Sequence, residues 1–184
     1  LECIRLDNSR SAELVKLADN SWIDLNIAAS FELAKLADKL GIDVLPVIRA
    51  ANSLPKGDNY VNLLTPSIGV GGYCLTKDPW FLDSFANSMG SSFRTAKTSR
   101  KINSESPIYA ALKIKDSIIQ QFPKLNPKDI KIAILGLAFK NNTGDCRFTP
   151  TLPLIDKLLS YGYRIVAYDN LISDKDFEIF KGVK

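Results

Sequence analysis

Two hydrophobic textures divide the chain. From about residue 12 to 40 apolar side chains recur three and four residues apart: Leu14, Leu17, Ala18, Ile23, Ile27, Leu33, Ala34, Leu36 and Ala37. That period predicts one long helix with a broad apolar stripe. Gly41 stands where such a helix stops, and Asp43 caps a shorter one that runs to about residue 51, ended by Ser53 and Pro55. Residues 56–76 are rich in glycine, asparagine and proline and read as a loop of a length that is usually functional or disordered. With Asp78 as N-cap and Pro79 at the first helical position, a helix then carries Trp80, Phe81, Phe85 and Met89 and ends at Gly90. Another helical pattern covers about 93–122, with Pro107 inside it. Past the linker 123–128 the texture changes. The apolar run 130–136 predicts a buried strand, 149–161 a helix closed by Gly162, and 164–169 a second strand. That order is a βαβ unit with a parallel sheet. The expected fold is a mainly α-helical domain over 1–122 followed by a partial α/β domain over 123–184.

Composition narrows the function classes. With 184 residues, 46% of them hydrophobic, the chain can bury a real core. A net charge of +4 is too mild to argue for nucleic acid, yet suits an anionic small ligand. Histidine is absent, which argues against a metal site or a Cys-His dyad, and Cys3, Cys74 and Cys146 lie far apart without metal-ligand spacing. No apolar run approaches the ~18 residues of a membrane span. No signal peptide is visible, so a reduced, cytoplasmic enzyme is expected. The chain opens on Leu1 and enters a helical pattern within about ten residues, which reads as an internal piece of a longer protein.

The most chemically suggestive stretch is Gly69-Val70-Gly71-Gly72-Tyr73-Cys74-Leu75-Thr76-Lys77-Asp78-Pro79. Three glycines in four residues let the backbone approach a ligand closely. The thiol that follows sits just ahead of an expected helix N-terminus with Lys77 nearby, a setting that favours a thiolate. Most free cysteines are instead small apolar fillers, but a filler needs neither glycines before it nor a charged pair after it. Lys16 and Asn20, four apart on the first helix, share a face and could hold the oxygen of a reacting carbonyl; as isolated residues they read first as a solvated face. The loop 135–145 follows a parallel strand and carries Lys140 and Thr143, with Arg147 just beyond, suiting a diphosphate or serving as a plain crossover. The dinucleotide fingerprint G-x-G-x-x-G occurs nowhere.

Three motifs in one order carry a resemblance: Lys16 with Asn20, the Gly69–Pro79 run continuing into Trp80-Phe81-Leu82, and Ile134-Leu-Gly-Leu-Ala-Phe139-Lys140-Asn-Asn-Thr-Gly-Asp145. Together they resemble the UDP-glucose/GDP-mannose dehydrogenase family, nearest the branch that oxidises UDP-N-acetylmannosamine and related N-acetyl sugars. Tyr73 stands where many of that branch carry histidine. The resemblance implies a subunit with an NAD-binding Rossmann domain, a helical domain that forms a homodimer, and a C-terminal Rossmann-like domain for the nucleotide sugar. This chain would be the last two in part.

It further implies a four-electron oxidation of a sugar C6 alcohol to a carboxylate, for polysaccharide precursors. Cys74 would be the nucleophile, Lys16 and Asn20 would stabilise oxyanions, and Asp78 would orient water. Leu63, Gly69, Val70, Gly71, Gly72, Phe139 and Lys140 would contact substrate, and Lys77 and Arg147 the NAD. The alternatives are UDP-glucose or another UDP-N-acetylhexosamine as substrate or, for this segment alone, a catalytically silent dimerisation module. A different thiol enzyme, such as an acyl transferase, lacks its usual histidine base.

Overall fold

Asn8 opens the first helix: its side chain accepts the Ser11 N–H at 2.9 Å, and α1 then runs Ser9–Leu40. At its far end Gly41 takes φ +66°, which lets its own N–H and that of Ile42 reach the last carbonyls, those of Asp38 and Ala37. Asp43 caps α2, Val44–Asn52, by accepting from Leu45 N–H. A computed structural model of the chain describes residues 3–57 and 59–183. The expected loop holds a small antiparallel pair, β1 (Pro55–Lys56) with β2 (Asn59–Tyr60). Helix α3, Tyr73–Ser88, starts earlier than the sequence suggested. Asp78 is therefore not its N-cap and Pro79 is not its first residue; both lie within the helix. Pro79 removes only the N–H that would have bonded the Leu75 carbonyl, and that carbonyl is satisfied by Arg100 Nη1 at 3.2 Å. Helix α4, Arg94–Gln121, continues through Pro107. After a 3₁₀ turn at Pro127–Asp129 come β3 (Lys131–Leu135), α5 (Thr151–Ser160), β4 (Arg164–Tyr168) and α6 (Asp174–Phe177).

The chain forms two compact units. The first comprises Leu1–Pro66 and Cys74–Asn103. Its buried apolar residues include Ala28, Phe31, Ala37, Ile48, Leu82 and Ala96. Helix α1 differs from expectation in which face it buries. Asn20, Ser21, Asp24, Asn26 and Ser30 are buried, while Leu14, Val15, Trp22, Leu36 and Leu40 are exposed, Trp22 to 62%. Asn20, Asp24 and Asn26 are taken inside because specific partners meet them there.

The second unit comprises Ser67–Tyr73 and Ser104–Lys184. Strands β3 and β4 pair in parallel, in register from Lys131 opposite Arg164 to Leu135 opposite Tyr168. Helix α5 buries Leu154, Ile155 and Leu158 in a core with Ala111, Leu137, Cys146, Tyr163, Ile165 and Phe180. This is the expected βαβ unit, with one correction. Strand β3 alternates instead of being buried throughout: Ile132 and Ile134 pack into the core while Lys131, Ala133 and Leu135 are exposed, Leu135 to 80%. A sheet packed on one face gives this alternation; burial on both faces would need helices on both.

Candidate active site

In the first unit, Cys74 is the second residue of α3 and is exposed. Asp78 follows one turn later, and residues four apart on a helix share a face. Asp78 is 8% exposed and its Oδ2 accepts from Asn20 Nδ2 at 2.5 Å. A charge taken out of water needs such a donor, and Asn20, itself buried on α1, provides it. Lys16 lies one turn before Asn20, but its ammonium reaches Asp19 Oδ2 at 3.1 Å, both groups in solvent. The structure thus joins Asn20 to Asp78 and sets Lys16 on its own helical neighbour. Lys77 Nζ stands 3.9 Å from Asp78 Oδ1 and 5.1 Å from the centre of the Phe81 ring.

Two polar arrangements beneath this site were missed in the sequence. Asp24, fully buried, accepts from Ser99 Oγ (2.7 Å), Arg100 Nη1 (2.5 Å) and Asn103 Nδ2 (2.8 Å). The available signal was an aspartate one turn beyond Asn20, flanked by Ile23 and Leu25. Asparagines also pin the predicted contact Leu63. Asn52 accepts from Leu63 N–H at 2.8 Å and donates to its carbonyl at 2.9 Å, while Asn26 does the same for Leu64 N–H and the Asn62 carbonyl. Isolated asparagines on helices gave no warning of this.

In the second unit the glycine run packs against the loop after β3. A Cβ on Gly71 would overlap that of Phe139, and one on Gly72, at φ +78°, would lie 2.8 Å from the Phe139 ring. Gly72 N–H also donates to the Arg147 carbonyl at 2.9 Å. Gly69 is at φ +143° and Val70 is buried. Small size at 71 and 72 is therefore used for packing against Phe139.

Lys140 is exposed and lines a cavity of about 480 Å³ with Gly136, Asn142, Tyr168 and Asp169, at the carboxyl ends of the two strands, where α/β sheets bind ligands. Asp169 closes the turn by accepting from Leu137 N–H (2.8 Å) and Ala138 N–H (3.4 Å). The Leu137 bond, with that from Leu171, holds its carboxyl below the usual range. Arg147 grips Asp145 through Nε and Nη2 and stands over the Tyr73 ring, 4.8 Å from its centre. Through those bonds Asp145 is lowered to about 2. These two line a second cavity of about 630 Å³ with Tyr73, Phe148 and Asp176. Burial pushes the Cys146 thiol up to about 11, so it stays neutral and unreactive at ordinary pH.

Among the described residues no cluster of three or more His, Cys, Asp or Glu could hold a metal ion, and no helix is long and apolar enough to cross a membrane. Residues 10–105 match the central domain of the UDP-glucose/GDP-mannose dehydrogenase family, and residues 133–184 match its UDP-binding domain. The chain belongs to this family. Among its relatives, the UDP-N-acetyl-D-mannosamine dehydrogenase of Campylobacter jejuni is 43% identical over 162 residues, covering 86% of this chain. That of Methanocaldococcus jannaschii is 36% identical over 172 residues, covering 93%. The chain spans 36% of the length of each of these two relatives. The solved UDP-D-ManNAc dehydrogenase of Pyrococcus horikoshii superposes with a TM-score of 0.74 at 34% identity, over 88% of this chain and 38% of that one. The family resemblance read from the three motifs is thereby established, as is the pairing of a helical part with a small parallel α/β part.

Proposed function

We propose that this chain forms the helical and nucleotide-binding portions of an NAD-dependent nucleotide-sugar 6-dehydrogenase acting on UDP-N-acetylmannosamine. The observation that carries this reading is the exposed Cys74 one helical turn from a buried carboxylate, Asp78, that Asn20 holds at 2.5 Å. The relatives' names supply the substrate. UDP-glucose or another UDP-N-acetylhexosamine is the competing choice.

The reaction this site suits has a covalent middle. After a first oxidation takes the C6 alcohol to an aldehyde, the Cys74 sulfur adds to the carbonyl carbon and the oxygen becomes a thiohemiacetal alkoxide. Lys16 and Asn20 are the donors assigned to that oxygen. Loss of a hydride from C6 leaves a thioester on Cys74. Water, oriented by Asp78, adds to it, and the thiolate leaves as the carboxylate forms. One sugar, two NAD and one water thus yield the uronate, two NADH and three protons.

NAD supplies the hydride acceptor in both oxidations. Within this chain the fit is partial. The dinucleotide fingerprint is absent, and the turn after β3 is closed by Asp169, the position where an acid would otherwise meet a ribose. We therefore assign the main NAD surface to the portion of the relatives that this chain does not span, and give Lys77 and Arg147 the lesser role of cations near its phosphates. The glycine backbone at 69–72 with Phe139, Lys140 and the pinned Leu63 is assigned to the sugar nucleotide.

The homodimer belongs to the same proposal. Leu14, Ala18, Trp22, Leu25, Ala29, Leu33, Leu36 and Leu40 follow one another at spacings of three and four along α1, and none of them is buried. A continuous apolar stripe left in solvent calls for a second copy. A cytoplasmic setting is proposed with it. The test is stoichiometry: the full-length protein with excess NAD should form two NADH per UDP-N-acetylmannosamine, and Cys74→Ser should abolish uronate formation. One NADH per sugar, or full turnover by that variant, would reject the reading.

A further inference from the structure

Pro79 sits inside α3, so the Leu75 carbonyl, four residues before it, has no helical N–H to accept from. Leu75 is the residue next to Cys74. A carbonyl without its donor at this place would leave the turn that carries the thiol free to open. The donor comes from α4 instead: Arg100 Nη1 lies 3.2 Å from the Leu75 oxygen. The same nitrogen is 2.5 Å from Asp24 Oδ1, so the guanidinium bridges α1 to the first turn of α3.

Buried neighbours hold this bridge in place. Arg100 is 7% exposed and Asp24 fully buried. Ser99 Oγ occupies the second carboxylate oxygen of Asp24, and Asn103 Nδ2 donates both to its carboxylate and to its main-chain carbonyl, each at 2.8 Å. A buried ion pair is a costly way to stabilise a fold, since well-packed apolar residues of similar volume often do as well or better. Its value lies in fixing geometry. Outside Asp24, Arg100 reaches the main-chain carbonyl of the residue that follows the thiol.

We propose that Asp24 and Arg100 are positioning residues for Cys74: the pair replaces the hydrogen bond that Pro79 deletes and so holds the first turn of α3, and the sulfur on it, in one orientation. This inference rests on the role given to Cys74 above. Lysine cannot substitute, because its side chain is an atom shorter and cannot hold Asp24 while reaching the Leu75 carbonyl.

A double-mutant cycle tests it. Pro79→Ala returns an N–H to the position that would bond Leu75, making the brace redundant. In this chain, Arg100→Lys should raise hydrogen–deuterium exchange of the amides of Lys77 and Asp78 about tenfold, the scale of one lost charge-assisted hydrogen bond. In the Pro79→Ala background the same substitution should change that exchange less than about twofold. Asp24→Asn serves as the second variant and should show the same rise and the same rescue. In the full-length enzyme Arg100→Lys should lower kcat about tenfold with the sugar KM unchanged, again with recovery when Pro79→Ala is added. Equal loosening with and without Pro79 would mark a general packing defect and overturn the proposal, as would an unaltered kcat. Absence of NADH formation by the unmutated enzyme would instead remove the proposed function, while the exchange cycle would still decide whether the brace exists.

Discussion

Replacing Asn20 by leucine probes the contact on which the candidate site is built. Leucine keeps asparagine's branched skeleton of four heavy atoms, so the change removes the donor to Asp78 without opening a cavity. Among the described residues Asp78 would keep Lys77, 3.9 Å away and half in solvent, as a polar partner, and a pair screened by water on one side is worth about 1 kcal/mol or less. Loss of a hydrogen bond to a charged group, with the acceptor left buried, costs about 1.5–3 kcal/mol. With a urea dependence near 2 kcal/mol per molar, the unfolding midpoint should fall by about 1 M. Trp22 and Trp80 are the only tryptophans and both belong to the first unit, so their fluorescence reports on that unit alone. The double variant Asn20→Leu/Asp78→Leu removes both partners and should cost clearly less than the two single changes added together, by an interaction energy of about 1.5 kcal/mol or more. A single variant within about 0.5 kcal/mol of the parent, or strict additivity, would refute the contact as drawn.

Three further outcomes follow from the geometry. Gly72→Ala should destabilise the second unit by about 2–4 kcal/mol, combining overpacking on Phe139 with an unfavourable positive φ; a thermal melt checks it, and adding Phe139→Ala should recover part of the loss. Asp145, held at about 2 in the folded state against 3.8 when unpaired, contributes stability that is present above pH 3.8 and lost as pH falls towards 2. Carboxyl titration followed by NMR should show Asp145 near 2, and moved to about 4 in Arg147→Met. Iodoacetamide at neutral pH should label Cys74 and Cys3, which are exposed, and spare Cys146 until the chain unfolds, as peptide mapping would show.

Helices and strands were legible wherever local chemistry acts alone. Gly41, Gly90 and Gly162 mark stops because only a residue without Cβ adopts their positive φ cheaply. Asp43 was readable as a cap for the same local reason. The start of α3 was not, because Asp78-Pro79 is a good helix opening until a distant arginine satisfies the carbonyl that Pro79 strands. Polar burial on α1 was likewise invisible: Asp24, Asn20 and Asn26 find their partners 36 to 79 residues away in sequence. The glycine run ahead of Cys74, by contrast, was plain in the sequence. Part of what those glycines do, at 71 and 72, is to admit Phe139.

The decisive measurement is a mass map of the full-length enzyme quenched during turnover with NAD and UDP-N-acetylmannosamine. A sugar nucleotide covalently attached to the peptide containing Cys74, absent when NAD is withheld, is the predicted result. Sustained uronate production with that cysteine unmodified at every time point would contradict the account.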